Sequence, residues 1–360
     1  LVGGELGFLD QPWFSGEQAM INLILRFALV LLCLQLTVMS VGATLLGPAG
    51  YYNEFIFGGI IQNNTDSWGK VAAGGNVDYY NMSVASEIQA SDPRYPDLVV
   101  GGNLAWKNGS VGYFSDINSG SPEYKKGSIV VGGNAFIAQN NGGSSVAYGS
   151  LTTGAALPFN FAAEQSYLQG MSSFWGQLAA NGTTSIKPGQ IFLAGSDPFL
   201  NIFSLSASDI KQNIGFNINV PDGSTTLVNI SGAVGQMKNF GFFFNGKDGN
   251  LDGDDLNKDG QPDFLFPDSL ILYNFFEAKA LKIAGIEVHG SILAPWADTV
   301  FNNGHIEGNL IAKSLFGTGE AHDELFNGKL PIRPVPEPAT VLLLGGGLIG
   351  AVAFRRRLKD

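Results

Sequence analysis

Short apolar runs broken by Gly-Gly-Asn recur along the first half of the chain. They read Val71-Ala-Ala-Gly-Gly-Asn-Val77, Leu98-Val-Val-Gly-Gly-Asn-Leu104 and Ile129-Val-Val-Gly-Gly-Asn-Ala135, with the asparagines 27 and 31 residues apart. Near the end, Val288-His-Gly-Ser-Ile-Leu-Ala294 aligns with Ile306-Glu-Gly-Asn-Leu-Ile-Ala312 at an offset of 18. Short β-branched runs that turn at Gly and Asn with a period of tens of residues predict a stack of parallel strands. Glycine and asparagine suit its corners because both tolerate the left-handed conformation. One segment has a different period: Phe161, Leu168, Met171, Trp175 and Leu178 fall on one helical face behind Asn160, a capping residue, and ahead of Asn181-Gly182. The expected fold is mainly β, a parallel β-solenoid (β-helix) with one long α-helix packed along its side. An antiparallel sandwich with similar turns is the alternative.

Composition narrows the function classes. Glycine supplies 49 of 360 residues and charged residues only 14%, while apolar residues make up 45%, which excludes a disordered chain. Thirty-one acids against 20 bases, net −11, argue against nucleic acid, whose binding needs clustered Lys and Arg. A single cysteine, Cys33, excludes a disulfide framework and a cysteine-based metal site.

Both ends read as addresses rather than fold. Arg26 precedes the apolar run Phe27–Leu36, and Val41-Gly42-Ala43 follows with small residues, the pattern of a secretory signal helix cleaved after Ala43. With a start at Met20, residues 1–19 are expected to be translated leader and 20–43 the signal peptide. At the other end, Pro336-Glu337-Pro338 precedes an uncharged stretch rich in Leu and Gly, and Arg355, Arg356 and Arg357 follow it. This order over 333–360 resembles the PEP-CTERM sorting signal. The resemblance implies recognition and cleavage by an exosortase after transient insertion of a C-terminal hydrophobic helix into the inner membrane. It also implies a Gram-negative cell and a destination at the surface or beyond.

Between the ends, residues 44–332 resemble the choice-of-anchor A domain of bacterial surface proteins. The matching residues are Ala73-Gly-Gly-Asn76, Val100-Gly-Gly-Asn103, Phe159-Asn-Phe-Ala-Ala163, Leu272-Tyr-Asn-Phe275 and Gly290-Ser-Ile-Leu-Ala-Pro295. Ile306-Glu-Gly-Asn-Leu-Ile-Ala-Lys-Ser314, Glu320-Ala-His322 and Phe326-Asn-Gly328 complete the set. The resemblance implies a surface or matrix module and brings no catalytic residues.

The densest polar chemistry lies at 245–268, an acidic insertion between Phe-rich segments. Asp-x-Asn-x-Asp-Gly begins at Asp248 and again at Asp255. Asp248, Asn250, Asp252, Asp254, Asp255, Asn257, Asp259 and Asp263 offer eight oxygen-bearing side chains. Calcium takes six to eight oxygens, and ligands at alternate positions before a Gly turn curl the chain around one ion. The expected cofactor is Ca2+.

Enzyme signatures are weak. His289, His305 and His322 lie 16 and 17 residues apart, near Glu287, Glu307, Glu320 and Asp323, without the helical His pair of a zinc hydrolase. Each histidine reads as a surface or corner residue, and the Thr pairs at 152, 183 and 225 lack the register an ice-binding face needs. The expected function is therefore a non-enzymatic, exported surface or matrix protein. Its expected partners are exosortase, extracellular polysaccharide or other surface proteins. The alternative is a carbohydrate-active enzyme, lyase or hydrolase, acting on exopolysaccharide.

Overall fold

The computed structural model describes residues 45–88, 95–115, 123–138, 145–210, 215–239, 241–248, 267–322 and 324–333. The leader, the signal helix, most of the acidic insertion and the sorting segment lie outside these residues.

The protein is mainly β, and its strand pairing is mostly parallel, consistent with a solenoid-like fold. The three Gly-Gly-Asn repeats form the expected short strands, Val71–Ala73, Leu98–Val100 and Ser128–Val131, paired side by side. Their register belongs to a longer row. Leu151, Ile129, Leu98, Val71, Glu54, Leu310, Ile292, Tyr273, Val228 and Phe203 follow one another across adjacent parallel strands. Only Glu54 interrupts its apolar character.

The order of that row differs from the order of the chain. Strand Glu54–Ile56 lies in the middle, between Val71–Ala73 and the segment beginning at Leu310. From there the chain steps outward to Ser150–Thr153 at one end of the row. It resumes at Leu200–Ser206 at the opposite end and steps back until Leu310 meets Glu54. Helix α1, Phe161–Gly176, lies in the chain between the two outward ends.

That helix forms where its period predicts. Asn160 accepts hydrogen bonds from Ala162 N at 3.0 Å and Ala163 N at 3.1 Å, satisfying two orphan donors of the first turn. Phe161, Leu168, Met171 and Trp175 are buried against Phe55, Ala72, Val99, Leu293 and Ile311. Burial of each large side chain stabilises the pair by roughly 1.5–3 kcal/mol. Polar contacts fix the register: Asn274 Nδ2 donates to Ser172 O at 2.9 Å and to Asn229 Oδ1 at 2.8 Å, and Asn229 Nδ2 donates to Trp175 O at 2.7 Å. The helix stops at Gly176, before the Asn181-Gly182 signal; a Cβ at 176 would lie 2.5 Å from the Phe276 ring.

The Gly-Gly-Asn corners work differently from expectation. Among the described residues, the positive φ angles include none of Gly74, Gly75, Gly101, Gly102, Gly132 and Gly133. Glycine is required there by close approach: a Cβ on Gly101 would sit 2.3 Å from Gly74 O. Left-handed backbone occurs at a second corner, where Asn64, Asn81 and Asn108 have φ of 52°, 51° and 64°. Asn81 Nδ2 donates to Asn64 Oδ1 at 3.1 Å, and Asn108 Nδ2 to Asn81 Oδ1 at 2.8 Å, so each asparagine caps the next.

Between the two corners a second row faces outward. It runs Phe136, Ala105, Asp78, Ile61, Phe316, Val300, Lys282 and Gln236. Phe136, Ile61 and Phe316 are 66%, 49% and 52% exposed. A separate five-stranded sheet, from Thr183–Lys187 to Lys247–Asp248, buries Ile191, Phe216 and Phe242.

Candidate functional site

Beyond the left-handed corner, three neighbouring strands end in the same alternation. Ala280–His289 ends Glu287-Val288-His289, Ser291–Glu307 ends His305-Ile306-Glu307, and Glu320–His322 reads Glu-Ala-His. Parallel register places Glu287 beside His305 beside Glu320, and His289 beside Glu307 beside His322. Side chains two apart share a face, so Val288, Ile306 and Ala321 turn into the core. The opposite face becomes a checkerboard of three imidazoles and three carboxylates.

The groups are close. His305 Nε2 is 3.1 Å from Glu287 Oε1 and 3.2 Å from Glu307 Oε1. His322 Nδ1 is 2.6 Å from the same Glu307 oxygen, and its Nε2 is 3.6 Å from Glu320 Oε2. The His305 and His322 rings stack at 4.3 Å and 11°, and Trp68 covers the other face of His322 at 3.7 Å. Buried Asp268 faces His289 Nδ1, its two oxygens 3.1 and 3.2 Å away, and His289 Nε2 points towards Glu287 at 3.6 Å.

Electrostatics separates the imidazoles. Burial holds His289 below the usual histidine range despite the charges of Glu287 and Glu307. Burial also opposes the charge on His305, yet Glu287, Glu307 and Glu320 together outweigh it and raise its affinity for a proton. The approach of His305 in turn lowers Glu287, against its own burial. Asp66, one strand further on, is raised by burial and by Glu320. Two imidazoles and a carboxylate that converge in this way can ligate a cation or hold a proton.

For His289 and His322 the expectation of a surface or corner residue is corrected, since they are 2% and 7% exposed, whereas His305 is partly exposed. Sequence reasoning sought a helical His pair and passed over the signal present, a His and a Glu two apart repeated on three strands. Of the eight expected calcium ligands only Asp248 is described. It ends the hairpin strand Lys247–Asp248, opposite Phe243, and its charge acts on His289. Asn250, Asp252, Asp254, Asp255, Asn257, Asp259 and Asp263 lie outside the described residues, as do Pro336, Glu337, Pro338, Arg355, Arg356 and Arg357. The Thr pairs do not form one row: Thr225 and Thr226 are buried, while Thr183 and Thr184 belong to the five-stranded sheet.

No curated protein matches the chain. A PEP-CTERM protein-sorting motif matches residues 334–357, which contain the Pro-Glu-Pro element and the three arginines. It marks an exosortase substrate, a secreted or surface protein of a Gram-negative bacterium. Residues 45–323, most of the chain and nearly all of its described structure, match the putative ice-binding-like adhesive domain, and the chain belongs to that family.

Proposed function

We propose that the chain is a non-enzymatic adhesive module whose fold is a parallel β-solenoid and whose ligand is extracellular polysaccharide. The outward row from Phe136 through Ile61 and Phe316 to Gln236 carries this reading. It lies on strands in continuous parallel register and exposes apolar side chains beside Asp78 and Lys282. Tyr80, half-exposed on a neighbouring row with Lys107 5.7 Å from its ring centroid, widens the patch. A pyranose ring has an apolar C–H face and a hydroxyl rim, which suit exposed rings set among polar groups. Ice would be met by ranked threonines, and this row has none.

Cells displaying the full chain should adhere to purified exopolysaccharide. Ile61→Ser combined with Phe316→Ser should abolish adhesion while lowering the melting temperature only slightly. Unaltered adhesion by that variant would remove the face from the reading. Release of reducing sugar by the purified protein would favour the carbohydrate-active enzyme instead.

The acidic segment is assigned Ca2+ on its spacing. Six carboxylates close together in the sequence repel one another, and a hard cation offsets that repulsion.

A further inference from the structure

We propose that His305, Glu307 and His322 bind one divalent transition-metal ion of the zinc class. The three donors belong neither to the polysaccharide row nor to residues 245–268. One potential donor atom from each of the three residues lies within 4.8 Å of the others. Zinc–ligand bonds of about 2.0–2.1 Å in a tetrahedral shell set donors roughly 3.3 Å apart. The Glu307 oxygen is already 3.2 Å from His305 Nε2 and 2.6 Å from His322 Nδ1, so only small side-chain rotations separate this arrangement from a coordinated one.

A second observation points to a ligand. His305 Nε2, the nitrogen that faces the Glu307 oxygen at 3.2 Å, is buried without a hydrogen bond. Glu287 and Glu307 flank that nitrogen at 3.1 and 3.2 Å, and His322 brings the second imidazole to the same Glu307 oxygen through Nδ1. Leaving a buried polar nitrogen without a partner is costly, so one set between two carboxylates forms a built but incomplete arrangement. A cation completes it.

The donor set selects the ion. Calcium and magnesium prefer shells of oxygen, whereas imidazole suits zinc, copper and nickel. The surroundings fit a cation of two charges: Glu287, Glu320 and Asp66 flank the three donors, and Asp268 backs His289. His289, pinned by Asp268, points Nε2 at Glu287 and so holds that carboxylate beside His305. Glu287 Oε1, 3.1 Å from His305 Nε2, is placed to supply a fourth donor, the second oxygen of the set. The ion would tie strand Ser291–Glu307 to Glu320–His322, the last strand before the sorting motif.

The test uses the full chain, stripped with chelator and titrated with Zn2+ in excess calcium so that oxygen-only sites are filled. One Zn2+ per chain should bind and raise the melting temperature. Co2+ should give the visible absorption of a four-coordinate nitrogen–oxygen site. Each of His305→Gln and His322→Gln should weaken Zn2+ binding by about 100-fold or more. Asp252→Ala with Asp259→Ala should leave it unchanged. Absence of both stoichiometric Zn2+ binding and the Co2+ spectrum in the unaltered chain would overturn the proposal, whatever the variants do. So would unchanged binding in the folded His305→Gln, His322→Gln double variant, and the cluster would then be a lattice of ion pairs.

Discussion

Glu54 stands opposite Leu310 in parallel register, with Val71 on its other side, and so places a carboxyl in a row otherwise apolar. Gln62 Nε2 donates to its Oε1 at 2.8 Å, while Oε2 is buried without a hydrogen bond. Burial pushes the carboxyl up to about 8, against the Gln62 hydrogen bond, with Asp66 adding to the rise. The folded protein thus keeps a proton that the unfolded chain releases above about 4.5.

The sign of the pH dependence follows from that proton. The contribution of neutral Glu54 is complete below the unfolded value and is lost as pH climbs towards 8, at no more than about 1.4 kcal/mol per pH unit. Glu54→Gln, which cannot ionise, should flatten this part of the profile and be the more stable protein at pH 8. Urea denaturation at pH 5, 6.5 and 8 measures both. Parallel profiles for the two proteins would contradict a buried neutral carboxyl.

Gly101→Ala should destabilise the stack by about 1–3 kcal/mol, because its Cβ would meet Gly74 O at 2.3 Å and backbone has little room to yield. Gly215→Ala, whose Cβ would have no neighbour closer than 3.6 Å, is the control and should cost little. Denaturant midpoints compare the pair.

Asn274→Ala should loosen α1 from the sheet. It leaves Ser172 O and Asn229 Oδ1 without their donor in a buried setting, at a cost of about 1–3 kcal/mol. Hydrogen exchange should rise in Phe161–Gly176 before it rises in the parallel strands.

Calcium should raise the melting temperature at roughly 10⁻⁴–10⁻³ M, the range of extracellular modules, with magnesium a poor substitute. Asp252→Ala with Asp259→Ala should abolish the shift. Equal melting temperatures in chelator and in millimolar calcium would leave an acidic segment without the ion.

Replacing Pro336, Glu337 and Pro338 by alanine should hold full-length protein in the inner membrane while the signal peptide is still removed. Fractionation and immunoblotting report the outcome. Normal release would reduce the segment to an ordinary anchor.

Local pattern carried much of the architecture. The Gly-Gly-Asn repeats located three strands, and the offset of 18 reproduces the observed pairing of Val288 with Ile306 and Ile292 with Leu310. The period of Phe161, Leu168, Met171 and Trp175 located the helix and its Asn160 cap. The meeting of Glu54 with Leu310 was not legible, because periodicity reports the next repeat along the chain and says nothing about which strand lies next across the row. The His–Glu checkerboard was hidden for a related reason. Its donors are brought together by register between strands, and each strand alone shows only one His and one Glu.

The middle position of Glu54–Ile56 has a consequence for export. Asn53 Nδ2 donates to Gly308 O across 255 residues, so the centre of the sheet closes only when both distant segments have emerged. Contacts of such long range form late, since the intervening chain must first be ordered. Until then Glu54–Ile56 and the segment from Leu310 each present an open strand edge, a template for pairing with another chain. The sorting motif begins at residue 334, just past the last described strand, so the segment that seals both edges and the segment that is sorted are neighbours in the chain.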